Sequence, residues 1–190
     1  MKKALLLHGW EADPTSNWLP WLKDKLEKKG YKVFVPNLPE SHSPILEDHL
    51  SCVKEIVQKF GKNDIIIGHS MWGKLAMHCI EENNLENINC ILVWPTYDAI
   101  EDEVDLDDPE EVKKNLIHYN GAIIDFDKIN SLKNNFSVLL SDNDRFIRVK
   151  SAKKYYSQLE NIEFTKFIWY WHFCKRDWFG EFEDILNYIK

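Results

Sequence analysis

The chain has 190 residues, with 24 Lys and Arg against 31 Asp and Glu, for a formal charge of −7. That length suits one domain, residues 1–190, with a core of its own, and 44% hydrophobic with 29% charged residues is the balance of an ordinary soluble globule. A net acidic chain with no Lys/Arg cluster argues against nucleic acid as a partner, and no apolar run nears the roughly 20 residues of a membrane helix.

The predicted elements alternate from end to end. A strand over residues 4–7 runs at once into His8-Gly9, which leaves no room for a signal peptide, so a cytoplasmic protein without membrane attachment is expected. Trp18, Trp21, Leu22 and Leu26 have helical spacing, predicting a helix over 17–29 that Gly30 stops, with both Trp as core anchors. A strand over 31–35, a helix over 45–60, a strand over 64–67, a helix over 71–82 and a strand over 88–94 follow. The acidic stretch 101–111 is the most linker-like piece, and Asp108-Pro109 opens a short helix through about residue 118. A strand over 137–140, a helix over 149–159, a strand over 162–168 and a helix over 181–189 complete the chain. Apolar runs this continuous suit strands covered on both faces, so the expected fold is α/β, a doubly wound, mostly parallel sheet of about six strands. Cys52, Cys79, Cys90 and Cys174 show no CxxC spacing, which favours reduced thiols. Eight Trp against seven Gly is an unusual balance.

The octapeptide Gly68-His69-Ser70-Met71-Trp72-Gly73-Lys74-Leu75 follows the 64–67 strand and opens a helix. It matches a phosphate-binding loop until Leu75, which stands where a magnesium-binding Ser/Thr is needed, and Met71 and Trp72 would crowd the phosphate. The nucleophile elbow Gly-x-Ser-x-Gly fits better, with Ser70 on a strained strand-to-helix turn, although Trp72 takes the second Gly position and Gly73 comes one residue late. A serine hydroxyl needs a base, and the base needs an orienting acid. In this topology both follow in chain order after later strands. Asp144 ends Ser141-Asp142-Asn143-Asp144 after one strand, and His172 lies just past the next.

With these residues the sequence resembles the small, lidless α/β-hydrolases related to retinoblastoma-binding protein 9. The matching stretches are Leu6-Leu7-His8-Gly9-Trp10, Pro36-Asn37-Leu38-Pro39, Gly68-His69-Ser70, Ser141-Asp142-Asn143-Asp144 and His172-Phe173. The resemblance implies a compact serine hydrolase with Ser70 as nucleophile, Asp144 as acid, His172 as base, and an oxyanion hole from the Trp10 and Met71 amides. Asp142 is the alternative acid; Asp144 is preferred because the family's acid is followed at three residues by an apolar anchor, here Ile147. The chain departs from the family at Trp72, Trp94, Arg145, Arg148, Trp169, Tyr170 and Trp171, where smaller residues or Pro are usual.

Two functions follow from these observations. One is hydrolysis of small esters or related acyl compounds, needing neither cofactor nor metal; His42, His49, His78 and His118 lack ligand spacing, and His49 is expected on a helix surface. The other is a protein-binding module, arisen by divergence or redesign, in which Trp72, Trp94, Arg145, Arg148, Trp169 and Trp171 form a contact face for a partner or a second copy.

Overall fold

The structure is a computed structural model that describes residues 1–97, 119, 121–144, 146–174 and 180–189. The acidic stretch 101–111, the short helix expected over 108–118 and Arg145 lie outside the described residues.

Six strands form the sheet: β1 (Lys3–Leu7), β2 (Lys32–Phe34), β3 (Ile65–His69), β4 (Asn89–Val93), β5 (Asn135–Ser141) and β6 (Ile162–Phe167). They lie in the order β2-β1-β3-β4-β5-β6, and every pairing is parallel. β3 and β4 are buried at every residue, as their unbroken apolar runs demand, whereas β2 and β6 at the edges are half-exposed. The Asp64 carboxylate accepts the Lys3 backbone N–H at 2.7 Å, the Lys3 ammonium at 2.9 Å and the Gly61 N–H at 2.9 Å, tying the starts of β1 and β3 together.

Helices α1 (Leu19–Lys28), α2 (Leu46–Val57), α3 (Trp72–Glu82), α4 (Phe126–Ser131) and α5 (Val149–Tyr156) connect the strands among the described residues. α1 carries Pro20 in its first turn, where no N–H is required, and buries Leu19, Leu22 and Leu26. α2 buries Leu46, His49, Val53 and Val57, so His49 stands on the core stripe and not on the surface as its polarity suggested. α3 is buried from Trp72 through Ile80, the central helix of the molecule.

Two elements differ from the sequence expectation. α4 is six residues long, too short for an apolar repeat, and is started by the Asp125 side chain, which accepts the Lys128 N–H at 2.9 Å. The terminal helix is a 3₁₀ segment over Glu183–Tyr188. Phe182, Ile185 and Tyr188 recur at intervals of three, and three residues per turn puts all three on one face against the core. Among the described residues no helix is long and apolar enough to cross a membrane.

The strand order reverses at β1, which has β2 on one side and β3 on the other. In open parallel sheets sites form beyond the carboxyl ends of strands at such a switch point, which here directs attention to the turns after Leu7 and His69.

Candidate active site

Ser70 occupies the turn between β3 and α3 with φ 54°, in the left-handed region. A non-Gly residue there costs roughly 1–2 kcal/mol, so the surroundings must hold it. The Ser70 N–H donates to Val93 O at 2.9 Å, and its carbonyl accepts from Gly73 N at 3.0 Å and Thr96 N at 3.3 Å. The tightness of the turn decides which positions must be small. A Cβ on Gly68 would lie 2.5 Å from Trp72 O, and one on Gly73 would lie 2.6 Å from Pro95 Cβ. Position 72 faces elsewhere. The Trp72 ring sits among His8, His49 and Tyr119, with centroids 5.7, 5.3 and 5.5 Å away, and is fully buried.

The Ser70 hydroxyl lies 3.0 Å from His172 Nε2, and His172 Nδ1 lies 2.5 Å from Asp144 Oδ2. A carboxylate only accepts, so Nδ1 carries the proton and Nε2 is left to accept from the serine hydroxyl. The Asp144 side chain is fully buried, and its other oxygen accepts the Phe146 N–H at 2.5 Å and the Ile147 N–H at 3.0 Å. Phe146 packs edge-on against the His172 ring at 5.0 Å. The alternative acid, Asp142, does not reach His172; it accepts the Trp169 N–H at 3.0 Å.

That last contact belongs to a pattern. Ser141 Oγ accepts the Tyr170 N–H at 3.0 Å and Asn143 Oδ1 accepts the Trp171 N–H at 2.8 Å. Four consecutive acceptors, Ser141 to Asp144, therefore each take one donor from the four residues 169–172. Sequence reading singled out only the fourth of these roles, although a run of four short polar residues after a strand was the available signal.

The turn after β1 approaches the elbow because Gly9 has no side chain; a Cβ there would meet His69 Nδ1 at 3.1 Å. His8 Nδ1–H donates to Gly9 O at 3.0 Å and its Nε2 accepts the Leu38 N–H at 3.3 Å. Trp10 stacks on His42 at 5.9 Å and donates its indole N–H to His42 O at 2.8 Å. Among the described residues, the backbone N–H groups of Trp10 and Met71 donate to no backbone carbonyl outside the regular elements.

Two of the six rim residues are misplaced by the sequence expectation. Trp72 and Trp94 are fully buried and cannot contribute to a contact face; Trp94 packs 6.2 Å from Phe173. The helix turn at position 72 and the left-handed turn at Trp94 (φ 51°) send both rings inward. Trp169 and Trp171 are 70% and 43% exposed beside Ile168, and Arg148 is exposed.

Three histidines around the elbow are buried. Burial and the facing His172 hold the His69 pKa down to about 3, and burial lowers those of His8 and His49 below the usual imidazole value. His49 accepts from the Tyr119 hydroxyl and donates to Pro39 O. Burial pushes the Cys79 and Cys90 thiols up, which makes them packing groups and not nucleophiles.

A family model described as serine hydrolase matches residues 4–190. The protein YdeN of Bacillus subtilis (strain 168) is 31% identical over 84 residues, a stretch covering 44% of this chain and 44% of that protein. The crystal structure of the B. subtilis ydeN gene product superposes with a TM-score of 0.80 at 19% identity, covering 98% of this chain and 96% of that one. An esterase from Exiguobacterium antarcticum superposes with a TM-score of 0.69 at 16% identity, covering 100% and 92%. These superpositions show the fold, that of α/β-hydrolases.

Proposed function

The chain belongs to the serine hydrolase family, and from that premise we propose that it cleaves small esters or related acyl compounds through Ser70, His172 and Asp144. The observation that carries the reading is the continuous hydrogen-bond chain from the Ser70 hydroxyl through His172 to Asp144, at 3.0 and 2.5 Å. Ser70 Oγ attacks the acyl carbon while His172 Nε2 takes its proton, and Asp144 holds the imidazole in the Nδ1–H tautomer and stabilises the cation that forms. The Trp10 and Met71 amides receive the oxyanion. His172 then protonates the departing alcohol, and water repeats the sequence to free the acid and restore Ser70. The same motifs suggest membership in the branch around retinoblastoma-binding protein 9, and the four free cysteines fit a cytoplasmic protein.

A fluorophosphonate probe tests the reading, because it labels only an activated serine. The wild-type chain should label and should hydrolyse p-nitrophenyl acetate, and Ser70→Ala should lose both with its fold intact. Equal labelling of Ser70→Ala would refute the assignment.

A second reading rests on the exposed apolar group Ile168, Trp169 and Trp171, 62%, 70% and 43% exposed. Here the loop beside His172 is also a contact face for a second copy of the chain. Light scattering should then show a dimer that Trp169→Ala weakens by tenfold or more in Kd; a wild-type monomer at high concentration rules this out.

A further inference from the structure

His69 is the last residue of β3, next to Ser70, is buried, and has no part in the proton path described above. Its ring packs 5.3 Å from the His172 ring, and its Nε2 lies 3.1 Å from the backbone carbonyl oxygen of His172. A carbonyl can only accept, so Nε2 is the protonated nitrogen and donates to it. The next carbonyl is held in the same way: the Trp18 indole N–H donates to Phe173 O at 2.9 Å, and the Trp18 ring meets the His69 ring edge-on at 5.7 Å.

The segment so held needs holding. Trp169, Trp171 and Phe173 have φ of 65°, 46° and 53°, three bulky residues in the left-handed region within five positions. Such a backbone persists only where its surroundings over-determine it. The N–H groups of 169–171 are fixed from the β5 side by Ser141, Asp142 and Asn143, and the carbonyls of 172 and 173 are fixed from the elbow side by His69 and Trp18. His69 is the link in this clamp that is covalently attached to Ser70. The elbow and the backbone of His172 are thus joined by one hydrogen bond, from His69 Nε2 to His172 O.

We propose that His69, with Trp18 behind it, is a positioning residue that fixes His172 against Ser70 through the His172 carbonyl. The inference rests on the reading of His172 as the base. Neutrality of the His69 ring is part of the design, because a second imidazolium 5.3 Å from His172 would oppose the cation that forms when Ser70 is deprotonated. The low pKa of His69, about 3, keeps that ring neutral across the working range.

Two amide replacements separate positioning from packing. In His69→Gln the side-chain amide nitrogen takes the place of Nε2 and can still donate to the carbonyl; in His69→Asn it takes the place of Nδ1 and cannot reach. Both bury an amide in the same site, so a purely structural role predicts similar losses from the two. Turnover of p-nitrophenyl acetate is measured for each, well below its unfolding midpoint, beside wild type and Ser70→Ala. The expected result is kcat within about threefold of wild type for His69→Gln, and a fall of about 10- to 100-fold for His69→Asn with KM within twofold, since misplacement near 1 Å costs on that order. Equal kcat values for the two variants overturn the proposal. If His69→Asn does not fold, Trp18→Phe carries the test: it keeps a ring against His69 but gives up the donor to Phe173 O, and unchanged kcat overturns the proposal. A wild-type chain with neither turnover nor probe labelling would instead defeat the reading of Ser70 and His172, and the inference with it.

Discussion

At the scale of single residues, the difference between Asp144 and Asp142 is decided by what each oxygen already does. Asp144 spends one oxygen on two backbone amides and aims the other at His172, whereas Asp142 serves the Trp169 amide. Asp144→Asn should lower kcat on p-nitrophenyl acetate by about 10⁴-fold, because an amide opposite Nδ1 favours the wrong tautomer. Asp142→Asn keeps an oxygen for Trp169 and should stay within a few-fold of wild type; comparable losses from the two would contradict the assignment. Trp72 carries the opposite lesson. The sequence reading put it on a rim contact face, but the ring fills the core among His8, His49 and Tyr119. Trp72→Gly should therefore leave hydrolysis no faster and lower unfolding stability by about 3–5 kcal/mol in a urea titration, as emptying an aromatic site does. A gain in turnover with unchanged stability would return Trp72 to the rim.

At the scale of elements, the central strands were legible as apolar runs bounded by turn residues and β6 as an alternation of apolar and polar residues, and all six lie within a few positions of the expected ranges. The placement of Ser70, Asp144 and His172 after the ends of β3, β5 and β6 was legible from the same strand pattern. What stayed hidden depends on contacts between segments distant in sequence. Nothing local in Trp169-Tyr170-Trp171 tells that Trp171 adopts φ 46° or that Asn143 holds its amide. Likewise His49 reads as a polar helix residue until Tyr119 and Pro39 are seen to satisfy both its nitrogens. The clamp itself can be tested. Asn143→Ala removes the acceptor for Trp171 N–H and also the partner that orients Ser141 Oγ at 2.8 Å. It should cost about 1 kcal/mol of stability, and about tenfold in kcat by loosening the turn that carries His172. Full activity in this variant would show that the remaining contacts hold the turn alone.

At the scale of the whole molecule, the buried histidines couple folding to pH. His8, His49 and His69 all have pKa values below the ordinary 6.5 in the folded chain, that of His69 reaching about 3, chiefly through burial. On unfolding each regains its ordinary value. Below pH 6.5 the unfolded chain therefore takes up protons that the native chain refuses, and the equilibrium shifts toward unfolding. The stability these groups confer is complete above pH 6.5 and is lost as pH falls toward their folded pKa values, by up to about 1.4 kcal/mol per unit for each histidine. Asp13, whose carboxyl is lowered by bonds from Thr15, acts in the same sense but only below its ordinary 3.8. Glu81 is raised from 4.5 by burial and acts in the opposite sense, but it is one group against three. The melting temperature should accordingly be flat from pH 8 to 7 and fall steadily between pH 6.5 and 5. Unfolding should take up protons in that interval, and calorimetry in buffers of different ionisation enthalpy measures the uptake. His69→Gln removes the group whose titration reaches furthest, so its stability curve should be shallower than wild type below pH 6. A wild-type curve that is level from pH 7 to 5 would mean that the three rings accept protons within the fold, and that the neutral core around the elbow is wrongly drawn.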